Sequence, residues 1–150
     1  YVAVDQVLEV IEPESPFQAW LVEHFSKAEL SAGVVIDRQA DPDGDGLNNT
    51  LEFGLGLDPK KADSREPIEM ILGSAEGETI LRYQARWLPR GLGIQIEKSD
   101  DLQNWEACGP GDLEIFSAEE TNDWGVKIFA ARLTGNLLLK YFRLRVILED

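Results

Sequence analysis

A short acidic stretch in the first half of the chain has the residue types and spacing to bind calcium. Residues 41–52 read DPDGDGLNNTLE, and they fit the calcium-loop pattern D-x-[DN]-x-[DN]-G-x5-E at every specified position. Calcium takes about six to eight oxygen ligands at roughly 2.3–2.6 Å, and a tightly curled chain with acidic side chains at alternate residues can supply them. The stretch therefore predicts a metal site rather than a catalytic one.

Each position of this pattern has a distinct predicted role. The three aspartates supply side-chain oxygens, the residue after Gly46 supplies its backbone carbonyl, and the final glutamate supplies both carboxylate oxygens. The predicted ligands are Asp41, Asp43, Asp45, Leu47, Asn49 (often through water) and Glu52. The alternative is a surface turn without metal, because Asx turns use the same residue types. Such turns, however, do not require a glutamate six positions after the glycine, and clustered carboxylates repel one another without a cation.

Composition places the chain among folded acidic proteins. Its 150 residues suit one domain, or one domain with a small appendage. The formal net charge is −14, from 28 acidic and 14 basic residues, so a phosphate backbone or an anionic membrane surface would be repelled. No apolar run in the sequence approaches the roughly 20 residues that span a bilayer. We predict neither a nucleic-acid partner nor membrane insertion.

Groups suited to catalysis are few. Cys108 and His24 are the sole cysteine and histidine, so they form the one Cys–His pair that can be written, but lone cysteines are commonly buried small hydrophobes. Glycosidase chemistry needs two carboxylates held about 5–10 Å apart across a cleft, which the adjacent Glu119 and Glu120 do not provide. The sequence predicts that the chain is not an enzyme.

Two local patterns precede the acidic loop. The segment that begins at Tyr1 and ends at Ile11 is rich in valine and partly alternating, which predicts a strand. Ser15 is a predicted N-cap, and the apolar stripe that follows predicts a single helix ending near Leu30. After the loop, residues 47–55 predict a short exiting helix that carries Glu52.

From residue 68 onward the apolar period changes to two. Candidate strands, separated by turn-like clusters, are 68–72, 79–87, 93–98, 113–116, 125–133 and 140–148. Short strands with frequent turns predict an antiparallel sandwich or barrel, and in the last strand Arg143 and Arg145 are expected to point to solvent. The predicted fold is mainly β: an immunoglobulin-like antiparallel β-sandwich preceded by a helix and an EF-hand-like loop. Its predicted parts are an N-terminal strand segment (1–14), a helix plus calcium-binding loop (15–66) and the β-sandwich (67–150).

Several stretches together resemble a known kind of protein. The run 41–59, DPDGDGLNNTLEFGLGLDP, resembles the solitary calcium loops of bacterial secreted proteins, which are related in pattern to thrombospondin type 3 repeats and dockerin loops. FQAW and HF upstream, the S-x-DL-x-x-W signature within 94–105, and YFRL at 141–144 are similar to flanking elements of such proteins. The resemblance implies a calcium-binding C-terminal accessory region of a secreted or cell-surface protein. A second loop, which dockerins use to bind a cohesin, is not present in the sequence.

Three functional interpretations follow. The first is a non-enzymatic, calcium-stabilised extracellular structural or interaction module, or a surface assembly subunit. The second is a carbohydrate-binding accessory module of a secreted enzyme, with Trp124 as the candidate for stacking on a sugar, although tryptophan in a small sandwich more often packs in the core. The third is a filament subunit whose N-terminal strand completes the sheet of a neighbouring copy, the alternative being that it pairs within its own domain. Ca²⁺ is the predicted cofactor, and a protein or polysaccharide partner stays open.

Overall fold

A computed structural model describes residues 15–62, 66–87, 91–123, 125–134 and 140–149. The predicted N-terminal strand segment (1–14) lies outside these residues. The described chain forms the helices α1 (Pro16–His24), α2 (Lys27–Ala32) and α3 (Asn49–Leu55) and the strands β1 (Ile68–Leu72), β2 (Thr79–Arg86), β3 (Leu92–Ser99), β4 (Glu106–Ala107), β5 (Leu113–Glu120), β6 (Val126–Leu133) and β7 (Tyr141–Leu148). None of the helices in the described ranges is long and apolar enough to cross a bilayer.

The first predicted helix is two helices in the structure. α1 starts as expected, with the Ser15 side chain as its N-cap and Pro16 in its first turn. The chain then breaks at Ser26, whose hydroxyl accepts from the Glu29 amide while the Glu29 carboxylate accepts from the Ser26 amide at 2.7 Å. This reciprocal capping box satisfies amides at the start of a second helix, so the prediction of one helix to Leu30 is wrong.

The helices bury an aromatic cluster. Its members come from α1, the residue just after it and α3: Phe17, Trp20, Leu21, Phe25 and Phe53. Phe53 meets the Phe17 ring edge-on, with ring centroids 5.4 Å apart, and it meets Trp20 in a similar way at 5.7 Å. Edge-to-face contacts of this kind add to the stabilisation that burial gives. The cluster holds α3 against α1.

The rest of the described chain forms two antiparallel sheets, as the mainly β prediction requires. One sheet has the order β1-β2-β6-β5 and the other the order β4-β3-β7. The predicted strands all occur, with ends that differ by up to four residues. β5 runs on to Glu120 after an irregularity between Ile115 and Ser117, and the two-residue β4 was not predicted because so short a strand has no visible period.

The main hydrophobic core lies between the two sheets. Alternate residues of β2 turn inward (Leu81, Tyr83 and Ala85) and pack with one residue each from β3, β7 and α3 (Ile96, Leu144 and Leu55). Along β2, buried positions alternate with less buried ones, which is the pattern of a strand with one covered face. Because Leu55 belongs to this core and Phe53 to the aromatic cluster, α3 joins the two apolar clusters.

The outer face of β3 and β7 carries a buried charge. Glu97 is only 3% exposed, and it accepts from Arg143 Nε at 2.7 Å and from Arg145 Nη1 at 3.2 Å. The two arginine side chains are 46% and 58% exposed, so they do face solvent as predicted. Their role as partners of Glu97 was not predicted.

Candidate metal site

The acidic loop is curled by hydrogen bonds to its first aspartate. Asp41 Oδ1 accepts from the Gly44 amide at 2.8 Å, and Asp41 Oδ2 accepts from the Gly46 amide at 2.9 Å. Both glycines have a positive φ, 75° and 95°, which a residue with a Cβ adopts only at a cost. The two glycines therefore let the chain turn tightly around the Asp41 carboxylate.

Three carboxylates converge inside this curl. Asp41, Asp43 and Asp45 each offer an oxygen, and these oxygens all lie within 4.8 Å of one another. Asp43 Oδ1 accepts from the Asp45 amide at 3.2 Å, and Asp45 Oδ1 accepts from the Leu47 amide at 2.8 Å. Asp43 Oδ2 is buried and has no hydrogen-bond partner among the described residues. Burial, followed by the charges of Asp45 and Asp41, raises the pKa of Asp43.

Glu52 brings a fourth carboxylate toward the cluster from α3. Its residue exposure is 0%, and within the described ranges neither carboxylate oxygen has a hydrogen-bond partner. Burial first, and then the charges of Asp43, Asp45 and Asp41, together raise the pKa of Glu52 to about 8. Buried charges are costly unless they are paired or bind a metal. Glu52 is therefore a buried acid for which the described chain supplies no compensating group.

Asn49 ties the start of α3 to the chain before the loop. It is fully buried, and its Nδ2 donates to the carbonyls of Val35 and Asp37 at 2.7 and 2.9 Å. With the amide nitrogen so engaged, Oδ1 is the side-chain atom left to accept, and in the described part of the chain it has no partner. An amide oxygen held this way suits direct or water-mediated metal ligation.

The candidate ligands share one chemical character. Carboxylate, amide and carbonyl oxygens are hard donors, which suit Ca²⁺ or Mg²⁺ and do not favour the softer metals that select sulfur or imidazole. The structure brings Asp41, Asp43 and Asp45 together and places Glu52 within electrostatic reach of all three. Leu47 follows this group, with its amide bonded to Asp45. The residues present therefore fit a divalent cation of the calcium type.

Two residues of β2 hold α3 in position, and the sequence did not reveal them. Arg86 Nε donates to the Phe53 carbonyl at 2.9 Å, with its guanidinium carbon 4.9 Å from the centre of the Phe53 ring. Gln84 Nε2 donates to the Leu55 carbonyl at 2.8 Å. These bonds satisfy carbonyls near the C-terminal end of the helix. The only signal in the sequence was that both are polar residues on alternate positions of a strand, which usually indicates a solvated face.

The tryptophans differ in their surroundings. Trp20 is buried among the helices, and the Arg143 guanidinium lies 4.2 Å from the ring centre of Trp105. Trp87 is 59% exposed and has the Lys127 ammonium 5.6 Å from its ring centre. The candidate sugar-stacking residue, Trp124, lies outside the described residues, so polysaccharide binding stays a prediction.

Cys108 and His24 sit in different environments. Cys108 packs against the core between the sheets, and burial, then the charge of Asp112, raises its pKa to about 11. His24 contacts the Trp20 ring and lies 3.6 Å from the Asp58 carboxylate. A thiol with a raised pKa is a poor nucleophile at neutral pH because little thiolate forms.

The chain matches no protein-family model and no curated protein. The case for a function therefore rests on the geometry of the acidic loop and on the chemistry of its donors.

Proposed function

We propose that this chain is a non-enzymatic, calcium-stabilised structural or interaction module that acts outside the cell or on its surface. The single observation that supports it most is Glu52, a fully buried carboxylate with unpartnered oxygens, within the described ranges, close to three converging aspartates. A bound divalent cation would neutralise these groups and let them ionise together. Calcium would thus fix the loop to α3, and through Phe53 and Leu55 of α3 it would connect the loop to both apolar clusters.

The local architecture supports an EF-hand-like mode of binding. The loop would supply the side chains of Asp41, Asp43 and Asp45, and α3 would supply Asn49 and the glutamate at position twelve of the motif, as in EF-hands. The helix before the loop differs, because α2 ends at Ala32 with Gly33 as its C-cap, and residues 34–40 intervene. The loop is therefore proposed to be EF-hand-like without a helix running directly into it.

The strand order supports an immunoglobulin-like sandwich. Immunoglobulin domains pair strands A, B, E and D in one sheet and strands C, F and G in the other, with C′ next to C where it occurs. If β1 to β7 are labelled A, B, C, C′, D, E and F, the two observed orders become A-B-E-D and C′-C-F. The described residues then contain no strand at the position of G.

An extracellular location is proposed because it suits both the ion and the charge. Single calcium sites in extracellular modules bind with Kd values of about 0.1–1 mM, far weaker than cytosolic sensors. A chain with a net charge of −14 is stabilised where divalent cations are abundant, since they reduce its self-repulsion.

Calcium-dependent unfolding is the direct test. The free energy of unfolding should rise by about 2.7 kcal/mol when free calcium is 100 times Kd, and calorimetric titration should give one site per chain. Asp45→Ala should abolish this increase. The matched control is Asp123→Ala, which removes an equal charge from an exposed turn and should leave the calcium-dependent increase intact. An unfolding curve that chelation does not move, together with no binding heat, would exclude the proposal.

A further inference from the structure

The strand β7 has a hydrogen-bonding edge that no other described strand uses. It pairs with β3 along its whole length, from Leu92 opposite Leu148 to Ser99 opposite Tyr141, and it is the last strand in the order β4-β3-β7. The outer N–H and C=O groups of such an edge can pair with an added strand. This edge is also where strand G would lie in an immunoglobulin-like sandwich.

The other described edges are less suited to accept a strand. β5 has an irregularity between Ile115 and Ser117 and carries several acidic residues, features that protect an edge from pairing. β1 has five residues and β4 has two. β7 is regular for eight residues, YFRLRVIL. It contains neither proline nor glycine. It is the long, unbroken edge of the described sandwich.

We propose that the N-terminal segment, residues 1–11, pairs as an extended strand with the free edge of β7 in its own chain. The first support is pattern. Alternate residues of the segment are mostly apolar (Val2, Val4, Gln6, Leu8 and Val10), and so is the inward-facing set of β7 (Phe142, Leu144, Val146 and Leu148). An added strand would extend the covered face of the sheet with its own apolar side.

Charge is the second support. The outward side of β7 carries Arg143 and Arg145, which share the single carboxylate of Glu97, so one positive charge is in excess there. The opposite side of the N-terminal segment carries Asp5 and Glu9. Opposite charges on neighbouring strands of one sheet face attract, and like charges repel, so the acidic edge strand β5 is disfavoured as a partner.

The third support is where the chain enters the described structure. A Cβ placed on Gly91 would lie 3.8 Å from the Pro16 ring and 3.9 Å from the Glu149 carbonyl oxygen, so α1 begins beside the C-terminal end of β7. Residues 12–14 can span about 10 Å when extended, enough to connect this point to a strand along β7. A segment that ends there would run parallel to β7, with its first residues toward Tyr141.

The test uses the full chain at saturating calcium and two matched substitutions. Val4→Asp places a charge on the apolar side of the segment, and Val7→Asp places the same charge on the side of Asp5 and Glu9. Amide hydrogen exchange is measured for β7. With Val4→Asp, the β7 amides that do not bond to β3 should exchange about tenfold faster or more, and with Val7→Asp they should stay protected.

Light scattering and calcium titration separate the remaining outcomes. Protection of β7 that persists in Val4→Asp overturns the proposal. Fast exchange of the same amides already in the wild type also overturns it, and this is the result expected if the segment packs against the helices instead. Protection that is lost on dilution as an oligomer dissociates overturns pairing within one chain and identifies a second copy as the donor. Calcium binding is measured on the same variants, and normal calcium binding in Val4→Asp shows that the two proposals succeed or fail independently.

Discussion

The helical region and the sheet region each bury one glutamate, and they treat it in opposite ways. Glu97 in the sheet region receives hydrogen bonds from two arginines, and although burial opposes ionisation, these bonds hold the pKa of Glu97 below its usual value. Glu52 in the helical region has no such partner among the described residues, and burial raises its pKa to about 8. Both side chains are almost fully enclosed.

This difference separates a buried carboxylate that the chain itself compensates from one that it leaves uncompensated. The negative charge of Glu97 is compensated within the described chain, because strand pairing places Arg143 and Arg145 of β7 beside it on β3. Glu52 is near acids instead of bases, and under the proposed function a cation from solution would compensate its ionised form. Burial alone therefore does not indicate a binding site, and the sign of the neighbouring charges decides between the two roles.

Glu52→Gln should have the largest effect, which is the loss of the calcium-dependent stabilisation. The amide is close in shape to the protonated acid, so without calcium its free energy of unfolding should match that of the wild type below about pH 4.5 and exceed it at pH 7, where the wild type must take up a proton to fold. With calcium, the variant should lack an increment of about 2.7–4 kcal/mol, for free calcium of about 100 to 1,000 times Kd. Chemical unfolding with and without chelator measures both quantities. Glu119→Gln, on the exposed β5, is the control and should keep the full increment.

Glu97→Gln should destabilise the chain equally with and without calcium. Losing hydrogen bonds from two charged donors to a buried acceptor should lower the free energy of unfolding by about 1–3 kcal/mol. Glu114→Gln is the matched control, because its ion pair with Arg132 spans 3.8 Å between largely exposed side chains and should be worth at most about 1 kcal/mol. A loss that appears in calcium alone would show that Glu97 belongs to the metal site and would break the comparison.

The two glutamates should also respond to pH in opposite directions. A folded-state pKa raised to about 8 means that the Glu52 contribution is fully present below its ordinary value and is lost as the pH rises toward 8. Without calcium, the stability difference between wild type and Glu52→Gln should fall by up to about 1.4 kcal/mol per pH unit. The Glu97 contribution should instead be lost as the pH drops below about 4.5, the ordinary value for glutamate. Unfolding series at several pH values measure both slopes, and a flat Glu52 slope would contradict its raised pKa.

What the sequence allowed us to predict was mostly local. The spacing of aspartates and the alternation along strands are visible within a dozen residues, so the loop positions and most strands could be predicted. The capping box of Ser26 and Glu29 was also visible, but the apolar stripe through α1 and α2 outweighed it in the prediction. The two-residue β4 offered no pattern to detect.

What could not be predicted depends on residues far apart in the chain. Arg86 and Phe53 are 33 positions apart, and Arg143 and Glu97 are 46 apart. No local pattern specifies such partners, because they meet only through the pairing order of strands. The calcium-loop pattern could therefore predict Glu52 as a candidate ligand, but only the fold shows that it is enclosed and that its neighbours are acids.

The smallest predicted effect concerns the turn that lets Asp41 reach across the loop. Gly46 has a φ of 95°, and a Cβ added there would meet nothing within 4 Å, so Gly46→Ala introduces backbone strain without a clash. Gly111→Ala is the matched control, since its surroundings are equally open and its φ is not positive. The first substitution should cost about 1 kcal/mol more than the second, and calcium titration should show weaker binding because the strained loop holds its carboxylates less well. Equal calcium affinity in the two variants would mean that the ligands reach the ion without this turn. The tight turn would then contribute nothing to calcium binding.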